Sequence, residues 1–98
     1  MIIWTPRARA DLKAIYEHIA KDAPLNAKTV TQALVNKTQQ SLQHALIGKK
    51  VAEVDDNNLR EISLYSWRIL YYIQADRIYV LTLVHKRRNL QAQDIPTH

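Results

Sequence analysis

The sequence contains no cysteine. Neither a disulfide framework nor thiolate chemistry can be built from it, which suits a protein of the reducing cytoplasm. It has a single glycine, so no glycine-rich loop exists to cradle a phosphate. No run approaches the ~20 apolar residues that a membrane span requires. The opening MIIWTPRARADL lacks the charged segment and long apolar stretch of a secretory signal, and a cytoplasmic protein with no membrane partner is expected. His18, His44 and His98 are scattered, and no pair of them has metal-ligand spacing with a third ligand, so no metal site is expected; no cofactor is expected either. No serine or threonine sits in a nucleophile motif.

What remains is enough for one domain, spanning 1–98, with one modest core. The apolar fraction of 47% is ordinary. Fourteen Lys and Arg against nine acids leave a formal charge of +5. That excess favours an anionic partner such as nucleic acid, the ribosome or an acidic protein segment, and it equally serves plain solubility.

The residue pattern predicts the elements in turn. Met1 to Trp4 is a short apolar run of strand type. Thr5-Pro6 then opens a helix, with Thr as N-cap and Pro at the first helical position. Ala8, Leu12, Ile15, Tyr16 and Ile19 recur at helical spacing, and Pro24 stops the helix. A second helix is expected from Pro24 to about Ile47, roughly 30 Å long. It uses Ala27, Val30, Ala33, Leu34, Leu42 and Ala45, with a less buried middle near Lys37, Thr38 and Ser41. Gly48 would end it in a left-handed cap. After the polar connector 49–58, with apolar pauses at Val51 and Val54, three strands follow: Leu59 to Ile62, Trp67 to Gln74, and Arg77 to His85.

With Ala75 and Asp76 as a two-residue turn, Gln74 faces Arg77 and the rest of the register follows. One face then collects Ile69, Tyr71, Ile73, Ile78, Val80 and Val84. The other carries Arg68, Leu70, Tyr72, Tyr79, Leu81, Leu83 and His85. The first face is expected against the helices. The second is expected to be open, with Arg68 and His85 meeting diagonally on it. The fold class is α+β: an N-terminal strand and an antiparallel helical hairpin on a small, mainly antiparallel, twisted sheet.

His85-Lys86-Arg87-Arg88 puts four potential cations at the end of the last strand. Such a cluster can hold phosphates or carboxylates, and it can equally be a solvated strand exit. Arg60 and Arg68 lie inside strands, where an arginine must find a partner or open water. His85 is a candidate general acid or base.

The order WTPRARADLKAIYEHIA, GKKV, LREI, WRILYYI and VLTLVHKRR resembles the ParE/RelE superfamily of toxins from type II toxin–antitoxin modules, over nearly the whole chain to about Leu90. The resemblance implies the helical hairpin on a sheet derived above. It also implies one of two activities. RelE-like members are ribosome-dependent mRNA endonucleases, and on that reading Arg60, Arg68, His85 and Arg87 would be catalytic. ParE-like members inhibit DNA gyrase and so DNA replication, in modules that also stabilise plasmids; then Arg68, His85, Lys86, Arg87 and Arg88 would face the target.

RNA cleavage needs a general base, a general acid and charge stabilisation. This chain offers cations but only His85, with Glu61 as a conceivable base, for proton transfer. No tyrosine follows Arg88, and Glu61 stands where RelE-like members are basic. The expectation is therefore a ParE-like gyrase inhibitor rather than an enzyme, with the mRNA endonuclease as the alternative. Either implies a toxin–antitoxin hetero-oligomer. Its ParD-like antitoxin would carry a DNA-binding part and an acidic, partly disordered segment that folds along the toxin, covering part of the helices and one sheet edge.

Overall fold

The computed structural model describes residues 1–96; His98 lies outside them. The elements are β1 (Ile2–Trp4), α1 (Pro6–Ala20), α2 (Pro24–Ser41), a 3-10 turn (Ala45–Ile47), β2 (Lys49–Lys50), β3 (Leu59–Leu64), β4 (Trp67–Gln74), β5 (Arg77–His85) and a second 3-10 turn (Ala92–Asp94). The five strands form one sheet in the order β1-β5-β4-β3-β2. Only the β1–β5 pair is parallel; the others are antiparallel.

The entry to α1 follows from two residues. The Thr5 hydroxyl accepts the Ala8 N–H at 3.1 Å, and Pro6 sits at the first helical position, where its missing donor costs nothing. The same hydroxyl reaches Val80 O at 2.9 Å, so the helix start is pinned to β5. One side chain thus caps the helix and stitches it to the sheet.

The second helix ends earlier than its composition suggests. It stops at Ser41, and a 3-10 turn at 45–47 leads out of it. No glycine or proline marks the break. Thr38, expected at a wetter middle, is fully buried, and its hydroxyl donates to Leu34 O at 2.8 Å. That back-bond is how a buried threonine satisfies itself inside a helix. Tyr16, by contrast, is exposed rather than part of the buried stripe.

Gly48 has φ −73° and ψ 154°, an extended conformation, and so is no left-handed cap. Its smallness serves close packing instead. A Cβ here would fall against the Tyr71 hydroxyl and 2.6 Å from the Glu61 carbonyl oxygen.

The β4–β5 hairpin starts as expected, with Gln74 facing Arg77 and Tyr71 facing Val80. A bulge then intervenes. Leu70 faces Thr82, so Leu81 is the extra residue, and Ile69 faces Leu83, Arg68 faces Val84 and Trp67 faces His85. A one-residue slip exchanges faces. Leu83 therefore joins the helix-side core with Ile69, Tyr71 and Val80. Val84 moves to the opposite cluster, and His85 turns to the helix side, away from Arg68.

Asp11 of α1 secures the shifted segment. Its Oδ2 accepts both the Thr82 hydroxyl and the Leu83 N–H, the latter at 3.2 Å. That N–H lies beyond the last residue of β1 along β5, where a helix side chain replaces the missing strand.

The second face of the sheet is also not open. Val51 and Val54 of the connector, with Leu90 and Ile95 of the C-terminal segment, pack on Leu59, Leu70, Leu81 and Val84. The sheet is therefore covered on both sides, by helices on one and by irregular chain on the other.

Both tight hairpins place a non-glycine residue at positive φ, Tyr65 at 54° and Ala75 at 55°. Left-handed backbone costs an L-residue roughly 1–2 kcal/mol, part of which a glycine returns as unfolded-state entropy. Ala75→Gly should therefore raise stability by about 0.5–1 kcal/mol, seen as a melting temperature a few degrees higher. An unchanged or lower melting temperature would contradict this account of the turn.

Candidate functional site

The strand residues that the sequence singles out as cations are divided by the fold. Arg68 projects from β4 onto the connector side, with its side chain only 12% exposed. Its Nη1 and Nη2 bind the two Glu53 carboxylate oxygens at 2.8 and 2.9 Å, a bidentate pair. Its Nε and Nη2 also donate to Glu61 Oε2, the former at 2.9 Å. Glu61 is almost fully buried, and its other oxygen lies 3.6 Å from Lys49 Nζ. Arg68 thus holds two carboxylates and pins the connector to the sheet.

This network sets the local electrostatics. Hydrogen bonding from Arg68 holds the Glu53 carboxyl below its usual range, against the opposing effect of burial. The same bond to Glu53, ahead of that to Glu61, raises the Arg68 guanidinium further. Because the folded state lowers the Glu53 pKa, the stability it contributes is present above about pH 4.5 and is lost as pH falls through the folded value. Denaturant midpoints measured from pH 6 down to pH 3 should fall below pH 4.5, and Glu53→Gln should flatten that part of the curve. An unaltered acid limb in the variant would contradict the assignment.

Arg60, on β3, is committed as well. Its Nη1 donates to Gly48 O at 2.9 Å and its Nε to Asn57 O at 3.0 Å, closing the connector onto the strand. Nearby, the Tyr71 hydroxyl accepts the Gly48 N–H at 3.0 Å. Burial pushes the phenol's pKa up. Arg60 and Tyr71 are therefore parts of the framework around β2.

His85 stands on the helix side. Its ring meets Trp67 edge-on, with centroids 5.8 Å apart, and shares a shallow depression with Asp11, Ile15 and His18 of α1. Its Nδ1 accepts the Arg87 N–H at 3.0 Å, so in the neutral ring the proton resides on Nε2. The Glu61 carboxylate, the other conceivable proton acceptor, is engaged on the opposite face. Arg68 and His85, expected together, are separated by the thickness of the sheet because of the single extra residue Leu81.

Lys86, Arg87 and Arg88 form an exposed turn after β5. Lys86 borders the depression that contains Arg68, Lys49 and Lys50. Arg88 lies 3.9 Å from Asp94. Among the described residues, no group of three His, Cys, Asp or Glu side chains is arranged to hold a metal, and no helix is long and apolar enough to cross a membrane.

Glu53, Lys49 and Asp11 carry much of this arrangement and were not singled out by pattern. Glu61 and Arg68 had a usable signal. If Tyr65-Ser66 is the β3–β4 turn, Ser63 faces Arg68, and Glu61 lies diagonally across on the same face.

A helical hairpin on a five-stranded, mostly antiparallel sheet with a parallel N-terminal edge is an architecture shared with chains of two solved toxin–antitoxin assemblies. One belongs to the chromosomal ParDE system from P. aeruginosa: 24% identity, 86% of this chain and 92% of that one covered, TM-score 0.74. The other belongs to the RelBE2 complex from Mycobacterium tuberculosis: 18% identity, 87% and 95% covered, TM-score 0.53. At these identities the likeness is one of fold. No curated protein matches the chain. A family model for the ParE toxin of the type II toxin–antitoxin system parDE matches residues 2–90. The chain belongs to the ParE toxin family.

Proposed function

We propose that the chain inhibits DNA gyrase and thereby DNA replication, and that a cognate ParD-like antitoxin neutralises it. The observation that carries this reading is the dispersal of the residues that RNA cleavage would use. Arg68 is bound by two carboxylates, Arg60 by backbone carbonyls, and His85 lies on the other side of the sheet. A nuclease must gather a base, an acid and stabilising cations around one phosphate. A toxin that acts by binding needs only a presented surface. We assign that surface to the end of β5, with His85, Lys86, Arg87 and Arg88 at its centre and Arg68 holding the ground beneath Lys86.

The antitoxin reading rests on surfaces elsewhere. Leu25, Leu46 and Ile47 are exposed apolar side chains on the helical half. Among the described residues, β2 pairs only with Arg60 and Glu61, which leaves Ser63 and Leu64 of β3 without a described strand on their outer side. Lys37, Ile47 and Lys49 flank that edge with Ser63. An acidic, partly disordered segment with apolar residues suits such an edge, since strand addition satisfies its backbone and lysines meet its charge. Such a toxin and its antitoxin act in the cytoplasm.

Expression without the antitoxin tests the reading. Growth arrest with relaxed plasmid DNA and intact mRNA is the expected pattern. Growth arrest with cleaved mRNA and normal supercoiling would replace it with the endonuclease reading. Unimpeded growth would mean an inactive relative.

A further inference from the structure

We propose that the turn after β5, together with Tyr65 of the neighbouring hairpin, binds the phosphodiester backbone of duplex DNA directly. This goes beyond inhibition of gyrase, because the contact belongs to the toxin alone.

Three cations stand in succession at Lys86, Arg87 and Arg88, and all are exposed. Among the described residues, the Lys86 and Arg87 side chains meet no carboxylate, and the Arg88 contact to Asp94 is long at 3.9 Å. The turn that carries them is nonetheless fixed at three points. Lys86 N–H donates to Ser66 O at 2.8 Å and Arg88 N–H to His85 O at 3.0 Å. Arg87 N–H donates to His85 Nδ1 at 3.0 Å. A fixed array of cations presents charge at constant spacing, which is what a regular phosphate backbone rewards.

The Lys86–Ser66 bond also sets the β3–β4 hairpin turn beside this one. There Tyr65 is 53% exposed at a strained φ of 54°. A bulky residue kept at positive φ on the surface points to a use for its side chain. A tyrosine hydroxyl is a usual donor to phosphate oxygens.

The surroundings select the partner's chemistry. Ser66, Asn89 and Gln91 around the cations are exposed and polar, a setting that suits contact with phosphate oxygens. The exposed apolar side chains Leu25, Leu46 and Ile47 belong to the helical half. One ring is too few for a stacking platform, so unstacked single strands fit less well than a duplex backbone.

The test uses the purified full chain without gyrase and a labelled 20-base-pair duplex of arbitrary sequence, followed by fluorescence anisotropy across salt. Three phosphate contacts give a log–log slope of about −2.7, so affinity should fall roughly 40-fold between 50 and 200 mM salt. Lys86→Ala/Arg87→Ala/Arg88→Ala should fold normally by circular dichroism, lose at least about tenfold in affinity at low salt, and flatten the slope. Arg87→Glu should weaken binding in the same direction. Tyr65→Phe should cost a few-fold with the slope unchanged. No duplex binding at 50 mM salt, or wild-type affinity in the triple variant, would overturn the proposal. So would tighter binding of a poly-glutamate peptide, which would make the turn a protein contact, or tighter binding of single-stranded RNA. The binding assay contains no gyrase, so failure of DNA binding and failure of the gyrase reading are told apart.

Discussion

Arg68→Ala is expected to lower folding stability by about 3 kcal/mol, with any loss of toxicity following from the loss of fold. The reason is what the substitution leaves behind. Glu61 is only 4% exposed, and without Arg68 its remaining cation is Lys49 at 3.6 Å. Removing one partner of a buried ionic group costs far more than the pair itself contributes, because the orphaned charge keeps its desolvation penalty. Glu53 would also lose its bidentate partner, and with it the connector's attachment to β4. Against a domain stability of roughly 5–15 kcal/mol, that loss is large.

Urea denaturation gives the difference directly. Arg68→Met combined with Glu61→Met should recover most of the loss, since an apolar replacement of the whole pair strands no charge. If Arg68→Ala left the midpoint unchanged but abolished activity, Arg68 would be a functional cation and the network incidental.

Gly48→Ala is the second large effect, about 2–3 kcal/mol of destabilisation. The backbone at Gly48 is extended, so the cost is not one of conformation. The new methyl would meet the Tyr71 hydroxyl, Tyr71 Cε1 at 2.9 Å and the Glu61 carbonyl oxygen at 2.6 Å. Tyr71 is fully buried in the helix-side core and cannot withdraw. The Glu61 carbonyl is backbone of β3 and cannot withdraw either. Tyr71→Phe in the same chain should relieve the hydroxyl clash but not the carbonyl one, so rescue should be partial and the two substitutions non-additive. A Gly48→Ala variant with wild-type stability would contradict this packing.

The fold was readable wherever its cause is local. Thr5-Pro6 announces α1 through capping chemistry, and the β-branched and aromatic runs announce β3 to β5. The hairpin at Ala75-Asp76 was legible down to the Gln74–Arg77 pair. What could not be read depends on contacts distant in sequence. The bulge at Leu81 accompanies acceptance of the Thr82 and Leu83 donors by Asp11, about 70 positions earlier. Strand alternation alone has no means of foreseeing that exchange of faces.

The covered second face was half-visible in Val51, Val54, Leu90 and Ile95, apolar residues in otherwise polar stretches. The partners of Arg68 lie 7 and 15 residues away across a turn and a connector. No helical or strand spacing reports such pairs, which is why a structural arginine resembled a functional one.

On the proposed function this toxin acts on gyrase by binding rather than on RNA by cleavage. The most direct measurement is supercoiling of relaxed plasmid by purified gyrase, titrated with the purified chain, beside programmed ribosomes receiving the same doses. Supercoiling should be lost in proportion to dose while the ribosome-bound mRNA stays whole. Undiminished supercoiling with mRNA cut on the ribosome would contradict it.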